Sequence, residues 1–280
     1  MSHETVFAIA SGKGGVGKTT ATVNLGTALA GAGKRVAIVD VDLGMANLAG
    51  FVSLEPDTIT LHDVLSGSAS IDDATYQLAE NIVAVPSGSD LDEYAETAPG
   101  ELSACLETLR ERFEYVLLDI GAGVSHETVL PLGLADAVLL ITTPEPAAVH
   151  DAKKTLELTD RTGGSVEGVV INRTRPEGDI SYEEIANRLE TPLLATIPDD
   201  PAVRESVYAG TPLVVHEPES PAAVAYRKLA ATLAGVDLAE PDRPASDDEH
   251  VADEHTTDDG TAVASHDDVS SAITEAEAEK

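Results

Sequence analysis

The chain has 280 residues, enough for one large α/β domain with a sizeable core. Its 50 acidic residues against 17 basic ones give a net charge of −33, which opposes binding to DNA, RNA or anionic lipid through bulk electrostatics and suits a protein bathed in the molar salt of a halophile's cytoplasm. The single cysteine, Cys105, excludes a disulfide framework and a C-x-x-C cluster pair. With no signal peptide at the start and no apolar run of about 18 residues, a cytoplasmic chain is expected, neither secreted nor membrane-spanning.

Residues 5–10 (TVFAIA) form a short apolar, β-branched run, the pattern of a buried parallel strand. The stretch Ser11-Gly12-Lys13-Gly14-Gly15-Val16-Gly17-Lys18-Thr19-Thr20 follows and satisfies the phosphate-loop pattern G-x-x-x-x-G-K-[ST]. Beyond it Ala21, Leu25, Ala28, Leu29 and Ala32 fall at helical spacing, and Gly33 sits where a helix stop belongs. Strand, glycine loop and helix in that order let backbone N–H groups curl around phosphate oxygens at the positive end of a helix. In such a loop Lys18 reaches the β- and γ-phosphates and the Thr19 hydroxyl binds Mg²⁺. The flanking strand and helix argue against a bare glycine-rich turn.

Residues 35–40 (RVAIVD) read as a second buried strand running into Asp40-Val41-Asp42-Leu43-Gly44-Met45-Ala46-Asn47-Leu48. Carboxylates at the end of a parallel strand beside a phosphate loop suit work on the metal or the attacking water; the plainer alternative is a strand end and a capped turn. Residues 81–86 (NIVAVP) form another strand, and 87–100 a polar, acidic connection. Leu102, Cys105, Leu106 and Leu109 share one helical face, which makes Cys105 a small buried hydrophobe. Residues 115–120 (YVLLDI) place one carboxylate, Asp119, at the sheet edge, followed by Gly121-Ala122-Gly123. Further strands read at 137–143, 168–173 and 193–197. A helix is expected over about 147–162, with Asp151, Lys153 and Lys154 on its polar side, and a last one over 221–234. After Gly235 the chain turns to Asp, Glu, Ser, Thr, Ala and Pro. We expect a phosphate-loop domain over 1–235 and an acidic, disordered tail over 236–280. Strands alternating with helices give a doubly wound, mostly parallel α/β sheet with its ligand at the strand C-terminal edge.

Five motifs occur in order over about residues 5–234: the loop K-G-G-x-G-K-T containing Lys13, D-x-D-x-G-x-x-N-L at 40–48, D-x-x-A-G at 119–123, Asn172-Arg173 at a strand end, and I-P-x-D…G-x-P-L from Ile197 to Leu213. Together they resemble the MinD/ParA family of deviant Walker A ATPases, closest to its MinD-like members. The resemblance implies ATP with Mg²⁺ as ligands and a nucleotide-sandwich homodimer. In that dimer Lys13 reaches the partner's phosphates as an arginine finger does. It implies a cradle of Gly12, Lys13, Gly14, Gly15, Val16, Gly17, Lys18, Thr19 and Thr20. It gives Asn172, Arg173, Pro198 and Asp199 to the adenine end, Thr19, Asp40, Asp42 and Asp119 to the metal and its shell, and Lys13, Lys18 and Asp42 to catalysis. Gly121 stands where many MinD relatives carry Pro.

The activity so implied is slow, partner-stimulated ATP hydrolysis that switches a dimer and controls where a partner protein sits, at a pole or on the inner membrane surface. A nucleotide-gated scaffold that barely hydrolyses and an amidoligase on the same fold remain alternatives. Direct DNA binding runs against the charge. A basic membrane-binding C-terminal helix, as bacterial MinD has, is replaced here by acids; Val269, Ala272, Ile273 and Ala276 alone share a helical face, so membrane contact is expected to be weak or indirect.

Overall fold

The computed structural model describes residues 4–54, 58–88, 98–123, 126–176 and 181–236. The acidic tail beyond Val236 and most of the polar connection, 89–97, lie outside the described residues. Eight strands, β1 (Thr5–Ala10), β2 (Val36–Val41), β3 (Tyr76–Ala79), β4 (Ile82–Val85), β5 (Tyr115–Ile120), β6 (Ala137–Thr142), β7 (Val166–Thr174) and β8 (Leu193–Pro198), form one sheet in the order β3-β4-β2-β5-β1-β6-β7-β8. Every pairing is parallel except β3 with β4.

The helices are α1 (Lys18–Gly31), α2 (Leu48–Phe51), α3 (Leu61–Leu65), α4 (Leu102–Arg110), α5 (His126–Leu134), α6 (Pro146–Arg161), α7 (Tyr182–Arg188), α8 (Pro201–Tyr208), α9 (Leu213–His216) and α10 (Pro221–Ala234). Strand periodicity assigns them to layers. Phe7 and Ile9 of β1 point to the face covered by Leu25 and Leu29 of α1 and by Tyr226 and Leu229 of α10. Val6, Ala8 and Ala10 point to the other face, where Leu102, Cys105, Leu106 and Leu109 of α4 pack. Farther along that face Leu140 and Ile171 meet Ala152 of α6 and Ile185 of α7. Because both faces are covered, the central strands read as continuous apolar runs rather than alternating ones.

The ends of α10 follow its sequence closely. Ser220 accepts the Ala223 N–H at 3.2 Å, Pro221 opens the first turn, and Gly235 closes the helix in the left-handed region at φ 60°. Among the described residues no helix is long and apolar enough to cross a membrane. The chain leaves β1 toward β2 on one side, while β6, β7 and β8 lie on the other. The crevice outside the strand ends at this reversal is where doubly wound sheets take ligands.

Candidate functional site

The loop after β1 fits its surroundings closely. A side chain at Gly12 would place its Cβ 2.1 Å from the Asp151 backbone of α6, so only glycine allows that approach. Gly17 has φ 94° and forms the N-cap of α1 without any side-chain hydrogen bond, and a Cβ there would lie 2.3 Å from Asn172 Nδ2. The first amides of α1 therefore carry no side-chain cap and face the cleft as an anion site. Val16 is buried and its carbonyl accepts from Asn172 Nδ2 at 2.8 Å, which fixes the loop against the end of β7.

Parallel register brings the acids together. Asp40 of β2 stands beside Asp119 of β5, both essentially without solvent exposure. Asp119 is surrounded by the first turns of α1. Lys18 Nζ lies 3.3 Å from Oδ1, Thr19 Oγ1 donates to Oδ2 at 2.5 Å, and Thr22 Oγ1 lies 3.3 Å from Oδ1. Thr19 and Asp119 thus offer adjacent hard oxygen ligands of the kind magnesium takes, with phosphate and water oxygens left to complete the shell. Among the described residues no group of three or more His, Cys, Asp or Glu gathers, so a metal here would depend on the nucleotide's own oxygens.

Asp40 binds the loop that follows its strand. Its carboxylate accepts the N–H groups of Asp42 at 3.1 Å and of Asn47 and Leu48 at 3.0 Å each. It therefore organises the 42–48 loop while standing in register beside Asp119. Burial, then the charge of Asp119, push its carboxyl up to about 7, against those three hydrogen bonds. Asp42 lies in the loop so formed, its Oδ1 accepting the Met45 N–H at 3.2 Å. A Cβ on Gly121 would sit 3.3 Å from Asp42 Oδ1, so the D-x-D segment and the D-x-x-A-G segment meet face to face. The second is also tied to the phosphate loop by Gly123 N–H to the Ser11 carbonyl at 3.2 Å.

Two clefts meet over this floor. One, of about 570 Å³, is lined by the phosphate loop including Lys13, Lys18 and Thr19, together with Asp42, Gly121 and Arg173. The other, of about 470 Å³, is lined by Asn172, Arg173, Pro198 and Asp199 and by Val203, Arg204, Val207 and Tyr208 of α8. Gly17, Thr20, Phe51 and Arg173 border both, so the two form one trough of phosphate and base ends. At the base end Asn172 Oδ1 accepts the Arg173 N–H at 2.9 Å, yet its amide keeps a second hydrogen and a second lone pair for a ligand. The Asp199 carboxylate, in a residue that lines this cleft, pairs with Arg175 at 2.8 Å.

The two loop lysines differ. Lys18 is buried against Asp119, whereas Lys13 is exposed at the mouth. Local hydrogen bonds from Thr143 and Lys154 do most to hold the Glu145 and Asp151 carboxyls below their usual range, and the Lys13 charge adds to both. Lys13, Gly14, Gly15, Gly17, Lys18, Thr19, Thr20 and Asp42 line the phosphate end of the trough and Asn172, Arg173, Pro198 and Asp199 the base end, whereas Gly12, Val16, Asp40 and Asp119 do not line it. α8 falls inside the 197–213 block of the resemblance, but its cleft-lining Arg204, Val207 and Tyr208 carry no motif; the Arg204 guanidinium stacks 5.5 Å from the Tyr208 ring.

A doubly wound sheet with a glycine loop between its central strand and a helix, a lysine and a threonine on a strand-end aspartate, and an adjoining cleft for a base defines a P-loop nucleotide-binding protein. The family model described as the CobQ/CobB/MinD/ParA nucleotide binding domain matches residues 7–213, and the chain belongs to that family. An uncharacterised ATP-binding protein of Methanocaldococcus jannaschii is 40% identical over 230 residues, covering 82% of this chain and 87% of the relative. The septum site-determining protein MinD of Pyrococcus horikoshii, solved with Mg-ADP, superposes with a TM-score of 0.78 at 35% identity, covering 82% of this chain and 95% of that one. MinD in the MinC:MinD cell division complex of Aquifex aeolicus superposes with a TM-score of 0.75 at 28% identity, covering 85% of this chain and 98% of that one.

Proposed function

We propose that the chain is an ATP-hydrolysing dimerisation switch of the MinD kind, which binds Mg-ATP, pairs with a second copy, and releases it on hydrolysis. In this reading Lys18 and the amides of residues 12–20 hold the phosphates, and Thr19 and Asp119 hold magnesium or its water. Asp42 orients the attacking water, and Asn172 with the backbone about Arg173, Pro198 and Asp199 takes the adenine. Bound magnesium would neutralise charge on the β- and γ-oxygens. The relatives' names and the Mg-ADP complex of the Pyrococcus protein support the ligand assignment. The output is positional: the dimer is the form that captures a protein partner, as the MinC complex of the Aquifex relative suggests. The net charge of −33 favours a protein partner over nucleic acid and makes membrane contact indirect. The catalytic unit ends near residue 235, and the acidic tail lies outside it.

The observation that carries this reading is the division between the lysines: Lys18 buried on Asp119, Lys13 exposed at the mouth where a second subunit could receive it. Light scattering and phosphate release with ATP test it. Lys13→Ala should bind ATP but stay monomeric and turn over at least about tenfold more slowly, the loss of a transition-state cation. A Lys13→Ala variant that dimerises and hydrolyses like the wild type removes the cross-subunit role. Wild-type chain that binds Mg-ATP and dimerises without releasing phosphate favours the scaffold reading instead.

A further inference from the structure

The loop that carries Asp42 is held from two sides by buried polar groups. Asp40 holds it from the strand end. The other group is His62 of α3, which is 1% exposed. A ring so placed needs partners for both nitrogens. The Gly88 N–H donates to Nδ1 at 2.8 Å, and Ser87 Oγ lies 3.2 Å from the same atom. With Nδ1 accepting, the ring hydrogen sits on Nε2, which donates to the Leu43 carbonyl at 3.1 Å. Leu43 directly follows Asp42, and its side chain is buried in the same apolar cluster as Leu61 and Leu65.

The helix beneath the ring is fixed independently. Thr60 and Asp63 form a capping box at its start, with Thr60 N–H to Asp63 Oδ2 at 2.8 Å. Leu61 N–H donates to the Pro86 carbonyl at 2.8 Å, and the Leu65 carbonyl accepts the Ala98 N–H at 3.0 Å. The imidazole therefore stands on a rigid base and spans two chain segments, the loop after β2 and the loop after β4.

We propose that His62 is a positioning residue for Asp42: by fixing the peptide at Leu43 it sets the direction of the Asp42 carboxylate at the phosphate end of the trough. The inference rests on the catalytic part assigned above to Asp42 and extends it to a residue that touches neither nucleotide nor metal. The ring also makes the Asp42 loop answer to the loop after β4, because one side chain satisfies both backbones. An Asp42 carboxylate displaced by about an ångström would lose much of its orienting effect, since such displacements cost up to about a hundredfold in rate.

Two near-isosteric substitutions in the full chain separate positioning from packing. His62→Gln sets an amide nitrogen near the place of Nε2 and can still donate to the Leu43 carbonyl. His62→Asn sets its amide near Nδ1, keeps the Gly88 contact and leaves Leu43 without a donor. ATP affinity should stay within about twofold in both, because the phosphate cradle is separate. kcat should fall about tenfold in His62→Asn, the effect of one lost buried hydrogen bond, and recover to within about threefold of wild type in His62→Gln. A second readout needs no turnover: without nucleotide, backbone hydrogen exchange over residues 43–48 should quicken about tenfold in His62→Asn and not in His62→Gln. Two variants that both behave like wild type, or that both lose rate and protection alike, overturn the proposal. Wild-type chain that hydrolyses no ATP would sink the function proposed above, and the exchange comparison would still decide whether His62 holds the Asp42 loop.

Discussion

Lys18 should matter to the protein before any nucleotide arrives. Its ammonium, on a side chain 10% exposed, faces Asp119 at 3.3 Å, and Asp119 stands in register beside the buried Asp40. At an effective dielectric constant of about 20 the Lys18–Asp119 attraction is about 5 kcal/mol. Lys18→Met keeps the length of the side chain, removes that attraction, and also removes the cost of burying the ammonium. Thr19 and Thr22 still hydrogen-bond Asp119. The net loss should be about 3 kcal/mol, the usual result of stripping one partner from a buried pair. For a domain of this size that corresponds to a melting temperature lower by about 6–12 °C. Circular dichroism melts of nucleotide-free protein at fixed KCl measure it. Adding Asp119→Asn to Lys18→Met should restore most of the loss, because the uncompensated charge is then gone. A Lys18→Met protein as stable as wild type, or a double variant weaker than either single one, would refute the reasoning.

Other outcomes follow from the same contacts. Gly12→Ala drives a methyl group into the α6 backbone, so it should cost about 1–3 kcal/mol in a urea titration and weaken ATP binding as the loop shifts. Chain truncated after Val236 should keep its kcat and melting temperature; a drop in either would show that the tail belongs to the catalytic unit. Calorimetry should find no tight Mg²⁺ site until ATP is added, since the described residues gather no three-ligand cluster. Raising KCl from 0.1 to 1 M should slow ATP association, because distant acidic charge is already largely screened at 0.1 M and added salt chiefly weakens the pull of the cations lining the cleft; association that speeds up would show that the net charge of −33 still governs the approach.

The central strands were readable because their burial on both faces turns them into uninterrupted apolar runs. β1 and β5 match the expected 5–10 and 115–120 to the residue, and α10 spans the expected 221–234. β3 was missed because Tyr76–Ala79 is a short, half-exposed edge strand without β-branched residues. The short helices α2, α3 and α9 were missed for another reason. Four or five residues show no helical period, and α3 is held by its capping box and by His62 rather than by propensity. At the site, glycines and acids with fixed spacing could be read from the sequence. The partners of Asp40 and His62 could not, since they are backbone amides and carbonyls that exist as a set only once the chain is folded.

A chain with this excess of acid must still attract an anion, and the placement of its charges shows how it can. Lys13, Lys18 and Arg173 border the phosphate cleft directly, and among the described residues lining that cleft Asp42 is the one carboxylate. Asp40 and Asp119 lie beneath that floor, and their oxygens are taken up by amides, hydroxyls and Lys18. Glu145 and Asp151 are the other acids that feel the Lys13 charge, and local hydrogen bonds from Thr143 and Lys154 hold their carboxylates; charges farther off than the Debye length of about 10 Å at 0.1 M salt act only through a screened field. Contacts at 3 Å in a partly buried cleft are screened far less. A few near charges and the amides of one glycine loop therefore outweigh the diffuse acidic charge in deciding which anion the trough can hold.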